Sequence, residues 1–297
     1  MQKISFILNI YNQSQYLERV ISALKEVGGH FRKEYIVTDQ GSTDNSLALV
    51  KSLTKDLPNT TIISNKHIDS RYHIHQNGMS IASGDYIKFL DGQTILAPDS
   101  AEHLIGIMKQ NNQKIAFGKS EGYGLKPSPK RKNSSEDKIT STSPLLDLLK
   151  NKTILRINSP RSIVSRDLFQ EIDIDEVHYE AEDLTFFLKC ASKSDFVFSP
   201  KLVCYNLDQD SKKIDCKLDT LDARKLLLAA KNLIEFNPTY ASNNSNELYK
   251  LICTVISKKA NQQYKTKIYY LIKSFLNTNK TLEDLKRLVL GSIEKNI

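Results

Sequence analysis

The sequence has little that would staple or anchor it. Its four cysteines, Cys190, Cys204, Cys216 and Cys253, are scattered, and no two form a CxxC pair. That argues against a zinc ribbon and a disulfide framework, so they read as reduced, mostly buried thiols. No run of 18 apolar residues occurs, so no transmembrane helix is expected. Met1-Gln2-Lys3 leads directly into Ile4-Ser5-Phe6-Ile7-Leu8 without a small-residue cleavage site, and the expected location is cytoplasmic. Neither a GxGxxG nor a GxxxxGK[ST] phosphate loop is present, so a dinucleotide enzyme or an ATPase is poorly supported. A nucleotidyltransferase would want a Gly-rich first loop bearing Lys or Arg, and Asn9–Gln15 is not one. No Ser-His-Asp arrangement comes with supporting motifs.

What is present suits a globular protein. Hydrophobic residues make up 40% of 297, enough for one large domain or a domain with an appendage. Charge is uneven. Residues 1–100 hold 10 Lys+Arg and 10 Asp+Glu, residues 101–211 hold 16 and 16, and residues 212–297 hold 16 and 8. The whole +8 excess therefore falls in the last segment. It reads either as a solvated Lys-rich face or as a surface for an anionic partner such as a membrane surface or nucleic acid.

Along the chain, strands and helices alternate. Ile4–Ile10 reads as a strand. Ser14 is expected to cap a helix to about Val27 with Leu17, Val20, Ile21 and Leu24 on one face, ended by Gly28-Gly29. Tyr35–Thr38 is a strand, Gly41-Ser42-Thr43-Asp44 turns into a helix, and Thr60–Ser64 is a strand. Gly78–Ala82 reads as a short helix, Tyr86–Leu90 as a buried strand, Asp99–Gln110 as a helix and Ile115–Gly118 as a strand. This βαβ alternation predicts a mostly parallel sheet. Lys126–Ser143 is polar with two prolines and reads as a loop. Ile163–Ser165, Phe196–Phe198 and Leu202–Tyr205 read as short strands, Glu182–Ser192 as a helix, and the chain beyond Asp219 as helices only. The expected organisation is a domain over 1–211 followed by a basic helical region over 212–297.

Chemistry concentrates at strand ends. In open α/β sheets ligands bind beyond the carboxyl ends of the strands. Asp39 stands at one such end and can accept an N–H from a flat heterocycle. Asp91, in Leu90-Asp91-Gly92-Gln93, stands at another. Asp44 reads as an ordinary charge at a helix N-terminus. His73 and His75 form a His-x-His, a spacing that puts both on one side of a strand; as polar loop residues they need no further role.

These words in this order resemble family 2 glycosyltransferases of the GT-A fold. Asn9-Ile10-Tyr11-Asn12 resembles the family's first turn, and Asp39-Gln40-Gly41-Ser42-Thr43-Asp44 its Asp-Asp-Gly-Ser-Thr-Asp box. His75-Gln76-Asn77-Gly78-Met79 precedes Ala82-Ser83-Gly84-Asp85-Tyr86 as an Arg-Asn-x-Gly-Ile box precedes an Ala-x-Gly-Asp/Glu-Tyr turn. Leu90-Asp91-Gly92-Gln93 resembles Leu-Asp-x-Asp, and Glu182-Asp183 an acidic pair opening a helix. The likeness covers about residues 3–206. It implies an α/β, Rossmann-like mixed, mostly parallel sheet flanked by helices, with an all-helical C-terminal appendage. It also implies transfer of a sugar from a nucleotide-diphosphate sugar to a hydroxyl acceptor with inversion, in surface or envelope glycan synthesis. Asn9, Tyr11, Asp39, Gln76 and Asp91 match nucleotide-sugar positions. Asp183 matches the base that takes the acceptor's proton, with Glu182 orienting it.

The chain departs from the family at Gln40, at His75-Gln76 and above all at Gln93. This last residue stands where a carboxylate usually holds Mg²⁺ or Mn²⁺, and an amide is a poorer ligand. Asp91, with Asp208 after Tyr205, is the remaining candidate metal set. The expected partners are a nucleotide-sugar donor and a glycan or lipid-linked acceptor, with no nucleic acid. The rival expectation is a catalytically degenerate GT-A-fold binding or scaffold protein. Everything turns on whether Asp39, Asp91 and Asp183 converge on one crevice; side chains far apart, or facing different sides of the sheet, would count against the transferase reading.

Overall fold

The computed structural model describes residues 1–64, 77–123, 140–142, 159–172, 186–187, 189–190 and 193–207. The helices expected over 212–297, and Gln76, His73, His75, Glu182, Asp183 and Asp208, lie outside the described residues. The chain divides into two compact units. The first is Met1–Thr142, Ile157–Tyr179 and Lys193–Lys212; the second is Ser143–Arg156, Glu180–Ser192 and Lys213–Ile297. In the second unit four residues are described, and they are helical: Phe186, Phe187, Lys189 and Cys190. The rings of Phe186 and Phe187 meet edge to face at 5.0 Å.

The first unit is a sheet in two halves. β1 (Lys3–Ile10), β2 (Arg32–Asp39), β3 (Thr60–Ser64) and β4 (Tyr86–Asp91) form its first half, in the order β3-β2-β1-β4. All pairs within it are parallel. The second half continues through β8 (Ser162–Ser165), β6 (Ile115–Gly122), β9 (Phe196–Asn206) and β5 (Thr94–Leu96). Here only β6 and β9 pair in parallel, and β7 (Thr140–Thr142) joins β9 antiparallel. The sheet is therefore mixed, with helices packed on it, as expected.

The reason for the parallel half is in its residues. β1 is buried along Ile4–Ile10, and β4 along Tyr86–Leu90. Strands covered on both faces read as continuous apolar runs, and crossover helices are what cover them. α1 (Ser14–Glu26) buries Leu17, Val20, Ile21 and Leu24. It shares one core with Ile4, Phe6, Leu8 and Ile10 of β1 and Tyr35 and Val37 of β2. α2 (Ser46–Leu53) adds Val50, and residues 77–81 form the short helix α3. α4 (Ser100–Gln110) adds Leu104, Ile105, Ile107 and Met108.

Three sequence expectations are corrected. Ser14 does not cap α1. Gln13 holds the cap position, with no side-chain cap bond. The first amides of the helix are instead met from the next loop: Gln13 N–H donates to Ser46 Oγ at 2.8 Å and Ser14 N–H to Asp44 Oδ2 at 3.1 Å. The two strands expected at 196–198 and 202–205 are one strand, β9. Proline cannot join a ladder and is carried at bulges. Phe117 pairs with Phe198 but Lys119 with Leu202, so the segment around Pro200 bulges out and the strand resumes. The expected loop over 126–143 contains β7 at Thr140–Thr142.

Candidate active site at the carboxyl edge of the parallel strands

β1, β2, β3 and β4 all point their carboxyl ends to one edge. Register fixes who stands there. Asn9 is level with Thr38 on one side and Asp91 on the other, and Asp39 is level with Ile10 and Ser64. Asp39 and Asp91 are thus separated by two strand spacings and one residue of rise. At about 4.8 Å per spacing and 3.3 Å per residue, their Cα atoms lie about 10 Å apart. Alternation turns Asn9, Thr38 and Asp91 to one face of the sheet and Asp39 to the other. The two carboxylates therefore share one edge of the sheet, on either side of the end of β1, but turn to opposite faces of it, against the expectation that they face one crevice.

Each polar group at the rim is held from behind. Thr38 hydroxyl donates to Asn9 Oδ1, and both side chains are buried. Asp39, 2% exposed, accepts Ser42 N–H at 3.1 Å on Oδ1 and Ser64 hydroxyl at 2.9 Å on Oδ2. Asp91 Oδ1 accepts Thr94 hydroxyl at 2.6 Å and Gln93 N–H at 3.2 Å. Bonds of this kind fix a carboxylate's rotamer before a ligand arrives. Tyr11 is 44% exposed, an aromatic face beside the end of β1.

The loops after β1 and β2 lock together. Asn12 takes a positive φ of 50°, a conformation that asparagine tolerates. Its Oδ1 accepts Thr43 N–H at 2.8 Å and Asp44 N–H at 3.3 Å. Asn12 N–H donates to Ser42 Oγ at 3.1 Å. Asp44 carries the reciprocal contact to Ser14 and also accepts Ser46 N–H at 2.9 Å. Slight burial raises the Asp44 carboxyl, but the bonds from Ser46 and Ser14 outweigh it and bring it to about 2. Asp44 is thus a structural acid, in line with its reading as a helix-terminus charge. Gly92 belongs to the same lock: a Cβ there would sit 2.3 Å from Gln13 Oε1.

The metal donors are thin among the described residues. No group of three or more His, Cys, Asp or Glu among them could hold an ion. Asp39 and Asp91 face opposite sides, and Gln93 offers only an amide. Mg²⁺ is often bound through one or two carboxylates plus substrate phosphates. This donor set fits an ion that arrives with a phosphate, and does not fit a cage built by the protein alone.

Sequence reasoning overlooked three features here. β5, only Thr94–Leu96, was too short to register, yet it carries the Thr94 hydroxyl that holds Asp91. Lys88, fully buried in β4, donates to the carbonyls of Pro160 at 2.5 Å and Ser162 at 2.8 Å. Arg161 lies between those carbonyls and donates through Nε to Gly118 O at 2.8 Å. A lysine inside an otherwise apolar strand was the available signal; nothing local marks Arg161. Among the described residues no helix is long and apolar enough to cross a membrane.

Comparison with known proteins now has a geometry to meet. An uncharacterized glycosyltransferase of Haemophilus influenzae is 26% identical over 194 residues, 64% of this chain and 72% of its own. A poly(ribitol-phosphate) beta-glucosyltransferase of Bacillus spizizenii is 24% identical over 196 residues, 65% of this chain but 30% of its own. The chain thus spans under a third of that longer relative. A 1–349 fragment of S. aureus TarS, solved with UDP-GlcNAc, superposes with a TM-score of 0.67 at 17% identity. That match covers 99% of this chain and 83% of the other, a likeness of fold. The family model for glycosyl transferase family 2 matches residues 5–173, more than half of the sequence, and the chain therefore belongs to that family.

Proposed function

We propose that this protein transfers a sugar from a nucleotide-diphosphate sugar to a hydroxyl acceptor, with inversion at the anomeric carbon. The observation that carries the reading is the rim: Asn9, Asp39 and Asp91, each fixed by its own hydrogen bonds, end three neighbouring parallel strands beside the exposed ring of Tyr11. A base and ribose want this combination. The ring offers stacking area, Asp39 accepts from a heterocycle N–H, and Asp91 accepts from sugar hydroxyls. Gln76 would join this set by its place in the sequence.

The chemistry needs two further things. The acceptor hydroxyl must lose a proton as it attacks, and by the family resemblance Asp183 is the base with Glu182 orienting it. The leaving diphosphate must be neutralised. A divalent cation, Mg²⁺ or Mn²⁺, would enter with the phosphates; Asp91, and by its place in the sequence Asp208, are the carboxylates proposed to meet it. The poly(ribitol-phosphate) relative and a second relative named for minor teichoic acid biosynthesis favour an envelope polymer as acceptor. The basic segment 212–297 is the proposed contact with an anionic membrane surface that carries a lipid-linked acceptor.

The test is donor turnover. Wild type should release UDP from a UDP-sugar, and Asp183→Asn should lower the rate by about a hundredfold or more. Binding of donor without any turnover, unchanged by Asp183→Asn, would instead identify a degenerate binding protein.

A further inference from the structure

The short strand β5 does more than hold Asp91. Its Thr94 hydroxyl donates to Asp91 Oδ1 at 2.6 Å, and its backbone pairs antiparallel with β9, Thr94 opposite Asn206 and Ile95 opposite Tyr205. β6 flanks β9 on the other side, with Gly122 level with Asn206. A row of three residues, Thr94, Asn206 and Gly122, therefore crosses the second half of the sheet, and its first member is bonded to Asp91. Main-chain bonds fix the middle of the row: Tyr123 N–H donates to Asn206 O at 2.8 Å, and Leu207 N–H to Gln93 O at 2.9 Å.

The ladder also says which way the Asn206 side chain turns. Residues opposite one another share a face, and neighbours along a strand alternate. Tyr205 meets the ring of Tyr123 edge to face at 6.1 Å, and the guanidinium of Arg19 on α1 lies 6.0 Å from the centre of the Tyr123 ring. Tyr205 is thus on the side that α1 covers, and Asn206 is on the other. Asp91 is on that other side too, because it is level with Asn9, while Leu8 and Ile10 pack with α1. Asn206 and Asp91 share a face, with Thr94 between them. Opposed Cβ atoms of an antiparallel pair stand about 5 Å apart, which sets the Asn206 carboxamide beside the Thr94–Asp91 bond. Thr94 is buried and Asn206 only partly so, so Asn206 is the member of the pair that a ligand can reach.

The chemistry of the row selects the ligand. A carboxamide offers two donors and one acceptor, and the Asp91 carboxylate accepts nearby. Thr94, Asn206 and Gly122 bring no cation, whereas a phosphate wants charged donors. Sugar hydroxyls both donate and accept, and suit a carboxamide near a carboxylate. Gly122 sets no side chain beside Asn206, so β6 does not fill that flank at this level.

We propose that Asn206 is a specificity-determining residue for the sugar being transferred, its carboxamide hydrogen-bonded to a hydroxyl of the donor's sugar ring. The inference rests on the nucleotide-sugar reading above.

Calorimetric titration in Mn²⁺ tests it on the full chain. UDP, UDP-glucose, UDP-galactose and UDP-GlcNAc are titrated into wild type, Asn206→Ala and Asn206→Ser, with melting curves to confirm the fold. Wild type should bind one of the UDP-sugars more tightly than the others. Asn206→Ala should weaken that sugar roughly fivefold to tenfold, the scale of one hydrogen bond, and flatten the preference, while UDP affinity stays the same. Asn206→Ser should keep part of the preference. A structural role alone would weaken UDP and the UDP-sugars alike, and that result overturns the proposal. Affinity ratios unchanged in Asn206→Ala overturn it, and so does a wild type without preference. A loss confined to ribitol 5-phosphate, added as an acceptor probe, also overturns it and assigns Asn206 to the acceptor. Should Asn206→Ala fail to fold, wild-type ratios in Asn206→Ser overturn it. If UDP and the UDP-sugars all fail to bind wild type, the nucleotide-sugar reading falls, and this inference with it; UDP binding with unaltered sugar ratios removes this inference alone.

Discussion

The parallel half of the sheet has two edges, built from the same kinds of residue and put to opposite uses. At the amino edge a carboxylate, two serines, a lysine and a glycine close on one another. Glu34 Oε1 accepts Lys3 Nζ and Ser83 Oγ, both at 2.7 Å. Its Oε2 accepts Ser83 N–H at 2.9 Å and the hydroxyl of Ser5. Ser5 Oγ in turn accepts Gly84 N–H at 2.9 Å. At the carboxyl edge, Asp39 is bonded by Ser42 and by Ser64 at the end of β3, and Asp91 by Gln93 and Thr94, in the company of an exposed tyrosine. The first edge is a clasp that joins β1, β2 and the entry to β4. The second is a rim held ready for something else. A carboxylate at a strand end is therefore no signal by itself: the bonds of Glu34 to Lys3, Ser5 and Ser83 tie strand ends together, whereas those of Asp39 and Asp91 fix each carboxylate at an edge that also carries the exposed ring of Tyr11.

The contrast can be broken at four places. Gly84→Ala should do the most damage. A Cβ there would lie 2.6 Å from the backbone nitrogen of Ser5, which cannot step aside, and overpacking of this kind costs about 3 kcal/mol. Denaturant unfolding should show that loss, while any folded fraction keeps its nucleotide affinity. Asp91→Asn should do the reverse. Its amide oxygen can still accept from Thr94, so the melting temperature should hold. Loss of a charged acceptor should lower the transfer rate roughly tenfold to a hundredfold.

Glu34→Gln should come third, with about 1–2 kcal/mol lost at neutral pH and no effect on catalysis. Its pH dependence has a definite sign. Burial raises the Glu34 carboxyl, but Lys3, Ser5 and Ser83 outweigh it and hold it at about 2, against an ordinary value of 4.5. A folded value below the unfolded one gives stability that is complete above about pH 4.5 and is lost as pH falls from there through 2. Acid melts of wild type and Glu34→Gln should therefore converge over that window. Gly92→Ala should do least to stability, under about 1 kcal/mol, because the atom it meets is the far end of the flexible Gln13 side chain, which would give up only a long bond from Tyr11 N–H at 3.4 Å. It should appear instead as a raised KM for donor, since the Gln13 lock stands behind the rim.

Much of this was legible in the sequence, and the limits have physical causes. Apolar runs placed β1 and β4 within a residue, because burial on both faces leaves no alternative composition; β3, a partly exposed edge strand, was placed by its β-branched Thr60–Ile63. The family words located the rim at Asn9, Tyr11, Asp39 and Asp91. Ala82-Ser83-Gly84-Asp85 was legible as a turn but not as a clasp: its reason is the close approach to Ser5, 79 residues away in the chain. The cap of α1 was misread for the same reason, since Asp44 and Ser46 replace any local acceptor. Phe196–Phe198 and Leu202–Tyr205 looked like two strands because a bulge is a property of two paired strands and only one was in view. The charge balance around Asp91 was half legible. Gln93 announced what is missing, while the Thr94 hydroxyl that holds Asp91 lies on a three-residue strand too short to register.

The most direct test of the account is nucleotide binding compared across the two edges. UDP is titrated into wild type, Asp39→Asn, Asp91→Asn and Glu34→Gln under one condition, with the heat of binding as readout. The account predicts saturable binding to wild type and to Glu34→Gln, and a clear loss with both aspartate variants. Binding unchanged by Asp39→Asn and Asp91→Asn would contradict it, because the donor would then sit somewhere other than the carboxyl rim.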